Sequence, residues 1–399
     1  MKKIGLWLRY GYSPSKGGGF SYYDALLRAL ANYRFNNFEI CLVSPAQTSV
    51  LVDGLESINL GLLPNRIPFW GRLIKSHRWA KIFLFINSRL FRKHWQSKLK
   101  KAKVSFLYYV TQSDYVLNDF PFVTTIWDMG YIVTYPFPEL IKGNNYIGRR
   151  RIFTQILPKA LMVFCESEAG KRDLVKYANI CEDKIRVLPI FAGNVIKMHV
   201  SEEIQGSVLQ KYGLKKNNFF FYPAQFWAHK NHIGILKAFK SFLPTHNDFK
   251  MLFTGGDKGN LQYVKHYCNE NGLDKSVLFL GFVENEEIYT FYKNATSLIM
   301  ASYFGPTNMP PIEAMCLDCP VICSDIEGHR EIMGDTALYF SPNNAGQLTV
   351  QMEKMEKEHD KYRSLVIAQK QKTKFNLDYS LSCLEIFFTE ALAIRETWN

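Results

Sequence analysis

A two-domain α/β fold, with two Rossmann-like doubly wound parallel sheets facing a central cleft, is predicted by three observations. The chain has 399 residues, more than the ~250–300 that one hydrophobic core usually serves. Short apolar runs alternate with helical stretches along most of it. Those runs are continuously apolar, the pattern of strands buried on both faces of a parallel sheet. Apolar residues make up 47%, ample for two cores and against extended disorder.

The second half carries the pattern most cleanly. Strands are expected at 218–224, 250–256, 276–281, 296–302, 320–325 and 336–341, with helices at 230–243, 259–272, 284–294, 309–318 and 345–357. Each apolar run is bounded by turn residues. In the first half the candidates are 2–10, 38–44, 104–110, 122–128 and 161–167, closed by 184–189 and followed by a linker near 190–215. The amphipathic stretch 380–398 can cross back to join the two halves. The expected division is residues 1–195, 196–375 and a closing helical segment 376–399. Crossovers should be right-handed, and ligands should bind beyond the carboxyl ends of the strands.

Composition excludes several classes. No apolar run approaches the ~18 residues of a membrane helix, and Arg9 cuts the opening apolar stretch too short for a signal peptide. Eight scattered cysteines suit reduced thiols in a cytoplasmic protein. Cys316, Cys319 and Cys323, with His329 as a fourth ligand, could be read as a metal set. The spacing is not a paired array and 320–324 reads as a buried strand, so buried thiols and no metal are expected.

The net charge of +13 is concentrated. Between Arg66 and Lys103 lie twelve Lys/Arg and no acid, interleaved with aromatics such as Trp79, Phe91 and Trp95. Phe91, Trp95 and Leu99 recur every four residues, as on one face of a basic amphipathic helix. Arg89, Arg92, Lys93, Lys98, Lys100 and Lys101 are its candidate contacts. An anionic membrane surface is the expected partner rather than nucleic acid; a plain solvated hairpin is the alternative.

Candidate site residues gather at strand ends. Gly17, Gly18 and Gly19 open a helix after the first strand, where backbone can approach a phosphate; a flexible loop is the competing reading. Asp128 ends the 122–128 run, placed to orient a hydroxyl or to cap a helix. Lys230 follows the 218–224 run as a point-charge partner for phosphate, with His229 and His232 read as loop and cap residues. Gly255 and Gly256 would clear room for a ligand. In "YFGPTNMPPIEAM", 303–315, Pro310 and Pro311 carry no N–H, so the donors of a helix start concentrate on Thr307, Asn308 and Met309, with Glu313 in its opening turns.

These segments together resemble a family. "YPAQFWAHKNH", "FTGGDKGN", "VLFLGFVENEEIYTFYKNATSLIMAS", "FGPTNMPPIEAMCLDCPVICSD" and "GDTALYFSPNNAGQL", in order over 218–350, look like the group 1 (family four) retaining glycosyltransferases of GT-B fold. The first half resembles them only loosely, through the glycine loop and "TTIWDMGYIVTYPFPE". The resemblance implies a nucleotide-sugar donor, an acceptor-side first domain and a donor-binding second one. It gives Glu313 the donor ribose, Lys230 the diphosphate, the amides of Thr307, Asn308 and Met309 the phosphate side, and Gly18 and Gly19 the diphosphate and sugar. The variant "GPTNMPP" resembles a subgroup associated with bacterial surface polysaccharides.

Three positions depart from the family pattern. Gly305 stands where a first glutamate would touch the sugar hydroxyls, leaving that contact missing or supplied by Asn308. Gln225 replaces an arginine of the donor site, and Trp127 a histidine beside Asp128. There is no D-x-D. The resulting expectation is a cytoplasmic, metal-independent hexosyltransferase with no cofactor. It would act at the inner face of the cell membrane on a glycan or lipid-linked acceptor, with a UDP-, GDP- or dTDP-sugar as donor. A GT-B sugar-nucleotide epimerase and an inactive GT-B scaffold are the rival readings.

Overall fold

The computed structural model describes residues 1–8, 18–44, 52–61, 92–112, 117–141 and 145–398. Two parallel sheets organise it. The first holds β1 (Lys2–Trp7), β2 (Phe38–Ser44), β3 (Glu56–Asn59), β4 (Val104–Tyr109), β5 (Phe122–Ile126), β6 (Met162–Cys165) and β7 (Ile185–Val187), ordered β3-β2-β1-β4-β5-β6-β7. The second holds β8 (Phe219–Pro223), β9 (Lys250–Thr254), β10 (Val277–Gly281), β11 (Ser297–Met300), β12 (Val321–Ser324) and β13 (Leu338–Phe340), ordered β10-β9-β8-β11-β12-β13. In each, the order reverses beside the first strand, between β1 and β4 and between β8 and β11. These reversals are the switch points where doubly wound sheets bind ligands.

The apolar runs became strands for the reason their composition suggests. Phe219, Phe220, Phe221 and Tyr222 are all buried, because helices cover both faces of β8. β3 is the exception: three of its four residues are exposed at the sheet edge, so it carries no apolar signature. Two helices also differ from expectation. Glu202–Lys211 lies inside the expected linker and has no buried residue, so no apolar stripe marks it; Ser201 caps it by accepting from the Ile204 amide at 3.3 Å. His359–Lys370 buries only Tyr362 and Val366.

The last helix, Leu377–Glu396, returns to the first sheet. Phe388 packs edge-on against Phe38, Phe106 and Tyr108 at centroid distances of 5.8, 5.7 and 5.2 Å. Ser380 donates to the Pro189 carbonyl at 2.7 Å, tying the helix to the segment between the lobes.

The lobes are clasped along one side of the cleft. Phe304 fills the space at Gly130 so closely that a Cβ there would lie 2.3 Å from its ring. Ser167 donates to the Pro306 carbonyl at 3.0 Å. Glu331 accepts from the amides of Glu168 and Ala169 at 2.9 and 3.0 Å, capping a helix of the opposite lobe.

Candidate active site

The carboxyl ends of both sheets enclose a cavity of about 420 Å³, a common size for a small-molecule site. Gly19, Tyr22, Trp127, Asp128, Arg149 and Glu166 line it from the first lobe. Gln225, His229, Lys230, Gly305, Asn308 and Met309 face them from the second.

Lys230 is held from both sides. Its carbonyl accepts from the Tyr222 hydroxyl at 2.8 Å. The next residue, Asn231, has φ 57° and caps the His232–Phe242 helix by accepting from the Gly234 amide at 3.2 Å. That turn is why the helix begins two residues after the expected start. The ammonium donates to Asn308 Oδ1 at 2.9 Å. Burial pushes its pKa down to about 8, against smaller upward pulls from Asp128 and Glu139.

The orientation of Asn308 follows from a chain of donors. Burial lowers the His329 pKa to about 4, so the ring is neutral. Its Nδ1 lies 2.9 Å from the Ser324 carbonyl, an acceptor only, so the proton is assigned to Nδ1. Nε2 then accepts from Asn308 Nδ2 at 2.9 Å, which turns Oδ1 toward Lys230. His329 thus orients Asn308 toward Lys230 and takes no part in a cysteine set. Cys319 and Cys323 are buried thiols, pushed up by burial. Among the described residues no group of three His, Cys, Asp or Glu is placed to hold a metal.

The 305–308 segment is shaped by glycines. Gly305 has φ +134°, and a Cβ there would meet Asn308 Nδ2 at 2.7 Å and the Thr307 carbonyl at 2.8 Å. A Cβ at Gly328 would lie 1.9 Å from the Pro306 carbonyl. Asn308 ends the segment as the cap of Met309–Cys316, with proline in its first turn. The amides of Thr307, Asn308 and Met309 enter none of the backbone hydrogen bonds of turns, loops and caps among the described residues. Three further buried donors in the wall, Trp127 Nε1, Arg149 Nη1 and Gln225 Nε2, lack hydrogen-bond partners among the described residues. The helix start at 307–309 suits an oxygen-rich anionic ligand.

On the first-lobe side, Asp128 lines the cavity and stands at the start of the Gly130–Val133 helix. Its Oδ1 accepts from the Gly130 amide at 2.9 Å and its Oδ2 from Gln112 at 3.3 Å, while Arg149 stands 3.7 Å away. Gly19 abuts Trp127, whose ring would be 3.1 Å from a Cβ at that position; Gly18 begins the same helix, Gly18–Asn32. Glu139 reaches across the cleft to His229, accepting from its amide at 3.0 Å with Nδ1 at 2.5 Å.

Four sequence expectations need correction. Glu313 lies outside the cavity wall: Tyr292 donates to its Oε2 at 2.9 Å and the Gly193 amide to Oε1 at 3.3 Å, and burial raises its pKa. It faces the segment joining the lobes, because it lies five residues past Asn308, about 140° round the helix. Gly255 clears room for protein and not for ligand, since a Cβ there would meet the Ala224 carbonyl at 2.6 Å. Asn308 spends its amide on Lys230 and His329. In the basic segment, Lys98 donates to the Leu60 carbonyl at 3.3 Å, anchoring the 92–101 helix. Lys93, Lys100 and Lys101 are exposed, Arg92 is half-buried, and Trp95 and Leu99 face the core; Arg89 lies outside the described residues.

Sequence reasoning missed Glu166, Arg149, Glu139 and the structural use of His329. The strand-end rule that found Asp128 would also have found Glu166, one residue past β6.

Comparison with known proteins agrees with this architecture. Residues 207–372 match the family model "Glycosyl transferases group 1". O-antigen chain mannosyltransferase B of Escherichia coli is 24% identical over 230 residues, 57% of this chain and 59% of that protein. O-antigen chain mannosyltransferase RfbU of Salmonella typhimurium is 29% identical over 130 residues, 33% of this chain and 36% of its own length. The matched stretches thus span about a third to three-fifths of these relatives. Among solved structures, sucrose-phosphate synthase from Thermosynechococcus elongatus superposes with a TM-score of 0.72 at 17% identity, covering 98% of this chain and 100% of that one. Anabaena HepE in complex with UDP-glucose gives 0.71 at 14% identity, with 98% and 100% covered. At such identities the likeness speaks to fold. The second lobe of this chain is thus similar to the group 1 glycosyltransferases, and the two lobes together have the GT-B architecture.

Proposed function

We propose that the protein transfers a hexosyl residue, with retention and without a divalent ion, from a nucleoside-diphosphate sugar to a glycan acceptor of surface-polysaccharide synthesis. The observation that carries this reading is the enclosed ammonium of Lys230, aimed by Asn308 beside the start of the Met309–Cys316 helix. The bond from the anomeric carbon to the diphosphate breaks, and charge grows on the leaving oxygen. Lys230 and the amides at 307–309 meet that charge where it develops, which lowers the barrier selectively. The acceptor oxygen attacks on the same face, and its proton passes to the departing phosphate. Asp128, steadied by Gly130 and Gln112, positions the acceptor hydroxyl. The interlobe clasp keeps water from the donor.

Two relatives named as mannosyltransferases make a mannosyl donor the first to test. The lipid-linked form of the acceptor and a place at the inner membrane face rest on the exposed cations Lys93, Lys100 and Lys101. Among the described residues no helix is long and apolar enough to cross a membrane.

The test is incubation with a panel of UDP-, GDP- and dTDP-sugars plus bacterial lipid extract, with and without chelator. Nucleoside diphosphate released only with acceptor, a product of the donor's anomeric configuration and indifference to chelation are expected. Donor isomerisation would indicate an epimerase, binding without turnover a scaffold, and an inverted product would overturn retention.

A further inference from the structure

Among the described residues three carboxylates line the cavity, Asp128, Glu139 and Glu166, and two are engaged. Asp128 holds Gly130 and Gln112, and Glu139 holds His229. Glu166 has one hydrogen-bond partner among the described residues, the Thr307 hydroxyl, which donates to Oε2. The residue is only 5% exposed and lines the cavity, and its bond to Thr307 uses Oε2, leaving Oε1 without a hydrogen-bond partner among the described residues.

Its surroundings leave it neutral. Burial raises its pKa to about 8, with Asp128 adding to the rise and the Thr307 bond opposing it. Tyr22 and Tyr108 are the other titratable groups facing it, both kept neutral by burial, and Cys165 beside it is a buried thiol. A protonated carboxyl has one O–H to give and lone pairs to receive, the complement of a sugar hydroxyl. A buried acid left half-satisfied costs stability, so a missing partner is the physical question this residue poses. Position 305 is a glycine that tolerates no Cβ, and Asn308 is committed to Lys230 and His329.

We propose that Glu166, from the acceptor-side lobe, recognises a hydroxyl of the transferred sugar, with Thr307 holding one carboxyl oxygen so that the other faces the donor. This rests on the nucleotide-sugar reading above. Donor recognition is then divided: the second lobe binds the nucleoside diphosphate and the first lobe binds the sugar. Because Thr307 belongs to the second lobe, the bond forms only when the lobes are clasped, as Ser167–Pro306 also requires.

The experiment compares wild type, Glu166→Ala, Glu166→Gln and Thr307→Val by calorimetry, using free UDP and GDP and the matching nucleotide sugars. Glu166→Ala should leave free nucleoside-diphosphate affinity within about twofold and weaken the nucleotide sugar roughly 10–100-fold, the range for losing a hydrogen bond in a buried site. Glu166→Gln, a neutral isostere with donor and acceptor, should stay within about threefold of wild type. A monodeoxy donor lacking the recognised hydroxyl should bind wild type and Glu166→Ala equally. Equal nucleotide-sugar binding by wild type and Glu166→Ala overturns the proposal. So does an equal loss for free nucleotide and nucleotide sugar, which would be a packing effect. Should Glu166→Ala fail to fold, the deoxy-donor series on wild type and Thr307→Val decides: no deoxy donor bound more weakly than its parent overturns it. Acceptor-dependent turnover is scored separately. Its absence, with the sugar-specific loss intact, would sink transfer and leave Glu166 in its role.

Discussion

Replacing Lys230 by methionine keeps the reach of the side chain and removes its charge, which separates the two things the lysine does. Its pKa falls from the usual 10.5 to about 8 because burial disfavours the ammonium. That drop corresponds to roughly 3 kcal/mol against the charged form at neutral pH. Lys230 keeps some surface open to the cavity, and water there screens part of the penalty, so we take about 2 kcal/mol. The lost bond to Asn308 offsets roughly 1 kcal/mol of the gain. The folded pKa lies below the unfolded one, so the penalty is fully present below pH 8 and is relieved as pH rises from 8 toward 10.5. Ligand-free Lys230→Met should therefore be more stable than wild type by about 1 kcal/mol at pH 7, and the advantage should vanish or reverse by pH 10. Paired thermal or urea melts across that range measure it. Turnover should fall roughly 10²–10³-fold, as when other preorganised charge-stabilising groups are removed. A variant less stable than wild type at pH 7, by a margin unchanged at pH 10, would refute a desolvated ammonium held ready for an anion.

Other outcomes follow from the same geometry. His329→Phe keeps a ring but releases Asn308 and takes away the ring's hydrogen bond to the Ser324 carbonyl, so it should cost about 1–3 kcal/mol in melts and turnover should drop roughly 10–100-fold; unchanged kinetics would remove the histidine from the site. Gly328→Ala raises helix propensity by up to ~1 kcal/mol, yet its Cβ would sit 1.9 Å from the Pro306 carbonyl. The clash should win, costing about 1–3 kcal/mol in melts, and a stabilised variant would show that the 305–308 segment is free to move. Charge reversal at Lys93, Lys100 and Lys101 should weaken flotation with phosphatidylglycerol vesicles by roughly 1 kcal/mol per site. Equal flotation would make the 92–101 helix plain surface.

The strand and helix positions were largely legible because their signals are local. The expected helix 345–357 coincides with Ala345–Lys357, and 38–44 with β2. What escaped were elements without an apolar face, β3 and Glu202–Lys211. In the site, Lys230 and the helix start at Asn308 could be read from strand ends and proline spacing. The direction of Glu313 could not, since its partners Tyr292 and Gly193 come from 21 residues away and from the interlobe strand.

Periodicity and turn chemistry act over a few residues, so the chain alone determined two parallel sheets, their order of appearance and the proline-marked helix start after Asn308. Only the tertiary structure decided which groups meet. Thr307 and Glu166 are 141 residues apart, Lys230 and Asn308 78, and His229 and Glu139 90. Such pairings arise when two lobes close on each other, and burial in that cleft moves the Lys230 and Glu166 pKa values to about 8, which no local pattern encodes.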